Sequence, residues 1–235
     1  MIKNYIRKVV ERLNLRSHDA GGPGWPRETR EAQWERSRVR WRKAEPEGHL
    51  TWGRVINGDG FVAKLDEYHA FGSDRTLLEI GPGYGRLLKS IVSMGLPFKS
   101  YLGIDLSDHN VKYLTETFPD QKITFRHEEI ETVEFNQTFD SAFSSLTFKH
   151  LYPSFEKALQ NVARALKPGA LAIFDLMEGS AEHFEHDGVT YLRHYTKEDV
   201  SKILNRCGLR LFAWDEVAHT PEPEHRRLLV VATRV

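Results

Sequence analysis

Two carboxylates and three glycines in this chain have the types and spacing to hold a ligand. In Leu77-Leu78-Glu79-Ile80-Gly81-Pro82-Gly83-Tyr84-Gly85-Arg86, an apolar run ends in an acid and then alternates glycine with other residues before a helical pattern begins. Glycine lets the main chain turn sharply and approach a ligand that a Cβ would hold away. Glu79 falls where a strand would empty into that turn, at the carboxyl edge of a sheet, where open α/β folds bind ligands. A second apolar run, Tyr101-Leu102-Gly103-Ile104-Asp105-Leu106-Ser107, also ends in an acid. A carboxylate there can accept hydrogen bonds from both hydroxyls of a ribose. Ser107 or Asp108 is better placed to cap the following helix, which leaves Asp105 for a ligand. Together the two segments predict a nucleoside site.

The glycine spacing selects the nucleoside. A dinucleotide fold uses G-x-G-x-x-G with a helix N-terminus aimed at pyrophosphate. Here the pattern is G-x-G-x-G preceded by Glu79. A carboxylate facing the loop repels phosphate and suits a ligand carrying an ammonium and a sulfonium.

The segment resembles the first motif of class I S-adenosylmethionine-dependent methyltransferases, and the resemblance continues to the C-terminus. Ile123–Arg126 reads as a third strand, Phe139–Ser144 as a fourth, and Leu166-Lys167-Pro168-Gly169 as the approach to a fifth that ends at Asp175. A helix opening at Thr196-Lys197-Glu198-Asp199 and closing at Cys207-Gly208, then two β runs (Arg210–Trp214 and Arg227–Thr233), match the family's closing elements. The resemblance implies a Rossmann-like α/β fold: a seven-stranded, mostly parallel sheet with a reversed C-terminal β-hairpin and helices on both faces. It implies S-adenosyl-L-methionine as cofactor, held by Glu79, Gly81, Gly83, Gly85, Asp105, Leu106, Glu128, Glu129, Ile130 and Ser144. One of Glu128 and Glu129 is expected near the adenine amino group, and the residues do not decide which.

Composition narrows the rest. A chain of 235 residues with 40% hydrophobic content builds one ordinary α/β domain with a modest extension. Zero net charge singles out no nucleic-acid partner. The single cysteine, Cys207, rules out an internal disulfide framework and a multi-cysteine metal site, and a reducing cytoplasm is the expected location.

Residues 1–60 read as an N-terminal helical extension or lid, and residues 61–235 as the methyltransferase domain. Residues 1–48 carry 12 Lys/Arg against 7 Asp/Glu, so the zero net charge is split +5 and −5 between this segment and the remainder. Ile2, Ile6, Val9, Val10 and Leu13 share one helical face. That face predicts packing against the domain or a second copy in a homodimer, with peripheral membrane contact as the rival. A second helix is expected over Thr29–Lys43, with Trp34 and Trp41 on one face as packing anchors, and a third from about Gly60 to Ala70. Trp52 is a pocket candidate.

Methyl transfer needs alignment first, and an alcohol acceptor gains from a general base, commonly histidine. His150, after the fourth strand, is the catalytic candidate, with bracing of the next helix as its plainer role. His183, His186 and His194 follow it as alternatives in a loop expected to line the acceptor. The pair His183/His186 supplies too few ligands for a metal site. The fourth strand runs into Ser144-Ser145-Leu146-Thr147, without the N/D-P-P-Y/F of enzymes that methylate nucleic-acid amino groups. The expected activity is O-methylation of a small molecule or of a sugar or glycan hydroxyl. Two other readings stand beside it: a non-catalytic regulatory subunit that binds S-adenosylmethionine, and a nicotinamide-dependent oxidoreductase.

Overall fold

The computed structural model describes residues 29–46, 57–184, 190–218 and 226–235, with only the backbone of 182–184. The first expected helix, Trp25, Trp52, His186 and the side chain of His183 lie outside the described residues.

Seven strands form the main sheet. β1 (Gly72–Ile80), β2 (Phe98–Asp105), β3 (Ile123–His127), β4 (Phe139–Ser144) and β5 (Leu166–Glu178) are parallel in the order β3-β2-β1-β4-β5. β9 (Arg226–Arg234) runs antiparallel against β5, and β8 (Leu209–Ala218) pairs antiparallel with β9 at the sheet edge. This is the expected sheet with its reversed C-terminal hairpin. The sequence reading missed a short second hairpin: β6 (Glu182–Phe184) pairs with β7 (Tyr191–Tyr195), and β7 continues the sheet beside the end of β5 at Met177 and Glu178. Three-residue β6, rich in polar residues, carries too little alternation to be read as a strand.

The parallel strands are apolar on both faces because helices cover both. On one face, Leu78, Ile80, Leu102 and Ile104 meet α5 (Glu156–Ala165) and α6 (Lys197–Arg206) through Leu159, Val162, Val200 and Ile203. On the other, Leu77, Tyr101 and Phe143 meet α2 (Asp59–Glu67) and α3 (Arg86–Ser93) through Phe61, Leu65, Leu87 and Ile91. α6 begins with a capping box at Thr196 and Asp199, the reciprocal pairing that satisfies two orphan N–H groups. α4 (Asp108–Thr117) is capped by the Ser107 hydroxyl, which accepts from Asn110 N, so Asp105 is indeed not the cap.

α1 (Arg30–Arg42) follows no strand. It lies across the carboxyl edge of the sheet, with Ser37 buried and accepting from Tyr191 N at 3.2 Å. Trp34 packs on Tyr152, and Trp41 on His150 at 5.0 Å between ring centroids. The two tryptophans are packing anchors, as their spacing predicted.

Candidate active site

A cavity of about 510 Å³ opens at the carboxyl ends of β1, β2 and β4 and is roofed by α1. That is mid-range for ligand pockets, about 300–1,000 Å³. Its floor is the glycine turn. Gly81, Gly83 and Gly85 have φ of +69°, +58° and +78°, a region costly for residues with a Cβ. A Cβ on Gly81 would stand 2.4 Å from Thr147 Oγ1, whereas one on Gly83 would meet no protein atom within 4 Å. Gly81 is therefore glycine for the protein's own packing, while Gly83 leaves open space that a ligand can use.

Glu79, next to the last residue of β1, is buried, accepts from the Tyr101 hydroxyl and lines the cavity. Burial pushes its carboxyl up to about 7, against the opposing pull of the Tyr101 hydroxyl and the Arg86 charge. An ammonium or sulfonium arriving there would recover the carboxylate.

Asp105 is occupied more fully than its sequence suggests. Oδ2 accepts from Gly83 N at 2.9 Å, and Oδ1 from Ser107 N at 2.9 Å and Asn110 Nδ2 at 3.2 Å. Asp105 thus ties the glycine turn to the end of β2 while lining the cavity.

Leu106, Glu128, Glu129 and Ile130 also line the cavity. Glu128 pairs with Arg126 at 2.7 Å, whereas Glu129 faces the roof, accepting from Arg38 and, at 3.5 Å, from Arg42. Glu131, not among the expected site residues, joins this wall, its carboxyl raised by burial. Ser144 is the exception. Its hydroxyl donates to the Ile80 carbonyl at 2.9 Å inside the sheet and does not line the cavity. The strand ends one residue before the wall begins, and Ser145, Leu146 and Thr147 supply that wall instead.

This loop is held under strain. Leu146 has φ +62°, and the buried Asp175 at β5 accepts from both Leu146 N and Ser145 Oγ at 2.7 Å. Arg86, with its guanidinium pKa lowered by burial, donates to Ser145 Oγ at 2.7 Å and to the Asn57 carbonyl at 2.9 Å. Arg86 immediately follows the glycine turn, and Asp175 ends the apolar part of β5; those positions were the only sequence signals for this network.

His150 lies in a 3₁₀ turn at Phe148–His150 and lines the cavity. Its Nδ1 is 2.7 Å from the Tyr191 carbonyl. A carbonyl only accepts, so Nδ1 carries the hydrogen and the neutral ring presents Nε2 as an acceptor. Burial, reinforced by the neighbouring Lys149 charge, lowers the imidazolium to about 3. His150 is therefore neutral at physiological pH and orients a donor better than it removes a proton. His194 turns its Nδ1 to the Glu178 carbonyl at 3.2 Å and does not line the cavity.

Residues 78–174 match the family model described as a methyltransferase domain. Over those residues, about two-fifths of the chain, the sequence is similar to methyltransferase domains. Among similar solved structures is the 1,6-didemethyltoxoflavin-N1-methyltransferase of Burkholderia thailandensis with its acceptor and S-adenosylhomocysteine bound (15% identity, 94% of this chain and 98% of that one, TM-score 0.71). Others are a methyltransferase of Clostridium acetobutylicum (18% identity, 75% and 90%, TM-score 0.57) and a glycopeptide N-methyltransferase complexed with S-adenosylmethionine (14% identity, 77% and 95%, TM-score 0.63). At such identities the likeness is one of fold. The methyltransferase fold accounts for the sheet order, and S-adenosylmethionine is the family's cofactor. This chain's residues fit it: open space over Gly83, a buried acid ready for a cation, and the Asp105 carboxylate on the cavity wall.

Proposed function

We propose that this protein methylates a hydroxyl of a small molecule. The observation that carries this reading is His150 on the cavity wall, its Nδ1 held by the Tyr191 carbonyl at 2.7 Å so that Nε2 is the ring's acceptor. S-adenosylmethionine, when bound, supplies an electrophilic methyl group with a neutral thioether as leaving group. Glu79 answers positive charge, Gly83 gives room, Asp105 takes one ribose hydroxyl, and Glu128 and Ile130 wall the adenine end. α1 excludes water, and His150 orients the acceptor hydroxyl. With the donor bound, the hydroxyl held by His150 would lie in line for transfer and would give up its proton to solvent. Alignment provides most of the acceleration such a step needs.

A cavity shared by a nucleoside-sized donor and the acceptor suits a compact acceptor better than a glycan chain. Nitrogen is the rival atom, since the similar structure spanning 94% of this chain is an N1-methyltransferase and Nε2 would orient an acidic N–H equally well. The test is incubation with S-adenosylmethionine and a panel of phenols, heterocycles and sugars, with mass spectrometry of the products. A methylated oxygen supports the reading, a methylated nitrogen shifts it to the rival, and S-adenosylhomocysteine binding without any turnover favours a regulatory subunit.

A further inference from the structure

α1 crosses the cavity with two sets of anchors. Of its 13 residues only Ser37 is buried, so contacts between side chains, more than apolar burial, hold the helix in place. One set lies over the acceptor half, between the loop after β4 and Thr190. There Ser37 Oγ accepts from Tyr191 N, Trp34 packs on Tyr152, Trp41 packs on His150, and Arg40 donates to Thr190. The other set reaches the donor half, past the ends of β2 and β3. Arg38 and Arg42 both donate to the Glu129 carboxylate, Arg42 at 3.5 Å. Glu35 shares these guanidiniums, 3.3 Å from Arg38 and 3.8 Å from Arg42. Just after the helix the Ala44 carbonyl accepts from the Ser107 hydroxyl. Arg38 and Glu129 line the same cavity as Glu79 and Asp105.

The two sets differ in kind. Aromatic packing and a buried hydroxyl are not weakened by salt. The charged set is: Glu129 is 18% exposed, Arg38 22% and Arg42 40%, open enough for ions to screen. Glu35, Arg38 and Arg42 recur at three and four residues, so they form one stripe on the helix. That stripe meets the rest of the protein at a single carboxylate. We propose that Glu129 is a positioning residue that latches α1 over the donor. Its pairs with Arg38 and Arg42 part for S-adenosylmethionine to enter and for S-adenosylhomocysteine to leave, while the aromatic set stays docked. This rests on the methyl-transfer reading above, which supplies the ligand that passes the latch. The sequence left Glu129 a candidate for the adenine amino group; two guanidiniums on its carboxylate give it a different task. A latch of this kind sets the rate of product release without touching the transferred methyl.

The experiment is stopped-flow tryptophan fluorescence on the full chain with S-adenosylhomocysteine, in low and high sodium chloride. A latch governs entry and exit alike. Glu129→Gln should therefore raise the association and dissociation rate constants together by about 10-fold, the scale of one charge-assisted contact, with Kd within about threefold. Salt should speed both rates in the unaltered protein and have little further effect in the variant. Arg38→Gln approaches the same pair from the helix and keeps the test alive should Glu129→Gln fail to fold. The double variant should add little to either single change, as expected for residues acting through one interaction. Faster dissociation at an unchanged association rate would make Glu129 a direct donor contact and overturn the latch. Unchanged rates, or an equal salt response in protein and variant, also overturn it, and each of these outcomes leaves methyl transfer standing. Failure of the unaltered protein to bind S-adenosylhomocysteine overturns both.

Discussion

The donor and acceptor halves of the cavity are built by different rules. The donor half comes from consecutive strand ends of one parallel sheet, where main-chain turns and buried acids do the holding: Glu79 on β1, Asp105 on β2, and the glycine turn joined to Asp105 through Gly83 N at 2.9 Å. The acceptor half comes from side chains on segments far apart in the chain. Arg38 reaches Glu129 across 91 residues, and Arg40 reaches Thr190 across 150. A surface made of backbone is hard to vary, while one made of long side chains on a helix and two loops changes with single substitutions. The fold thus keeps one donor and remains open in its acceptor, consistent with function residing in sites placed on a shared fold.

Gly81→Val should break both halves at once. The new Cβ would press on Thr147 Oγ1, 2.4 Å away, at a φ of +69°, so turn and acceptor loop cannot both stay in place. We expect loss of S-adenosylhomocysteine binding together with a markedly lower Tm; retention of both would show that the two halves are not joined here.

Asp105→Ala and His150→Ala should separate the halves. The aspartate variant strands three donors and should weaken S-adenosylhomocysteine by about 1.5–3 kcal/mol, the cost of losing a charged hydrogen-bond partner. The histidine variant should leave that affinity within about twofold and lower kcat on a hydroxylated acceptor by about 100-fold, the order expected when a reacting group loses its alignment. Calorimetry and initial rates on the same preparations check the pair, and matching losses in both variants would erase the distinction.

Glu79 supplies a pH test confined to the donor half. Burial raises its folded pKa from 4.5 to about 7, so the folded protein keeps a proton that the unfolded chain releases. The stability from this proton is fully present below about pH 4.5 and lost as pH rises through about 7. An ammonium-bearing ligand favours the carboxylate, so binding of S-adenosylhomocysteine should release a proton and tighten between about pH 5.5 and 7.5. Glu79→Gln should flatten that profile, as buffer-dependent heats of binding would show.

The smallest effect is expected at Ser107, which caps α4 and donates to the Ala44 carbonyl at 2.6 Å, tying the segment after α1 to the end of β2. Ser107→Ala should cost about 1 kcal/mol of stability in chemical denaturation, the usual value of an N-cap. A cost near zero would mean that the tether and cap are supplied elsewhere.

The same contrast explains what could be read before folding. Glycine spacing, an acid at a strand end and a serine cap are local patterns, so the sheet, the turn, Glu79 and Asp105 were all legible. Ser144 misled because the strand runs to that residue and turns its hydroxyl inward to Ile80, placing the wall one residue later. The tautomer of His150 depends on a carbonyl 41 residues away, on a hairpin whose first strand is too short to announce itself. The roles of Arg38 and Arg40 in the roof were not legible because their partners Glu129 and Thr190 lie on other elements. Glu128 and Glu129 could not be told apart until α1 was seen to engage the second of them.

Leu146 carries a consequence for the protein's history. A residue with a side chain at φ +62° costs about 1–2 kcal/mol relative to one that tolerates the left-handed region, and the two Asp175 hydrogen bonds hold it there. Glycine or asparagine at this position would relax the main chain and stabilise the fold, yet it would take an apolar side chain from the cavity wall. Selection for heat tolerance alone would push position 146 toward those residues, and selection for turnover would push it back to leucine. A library screened only for survival at high temperature would therefore collect winners on the wall of the cavity itself.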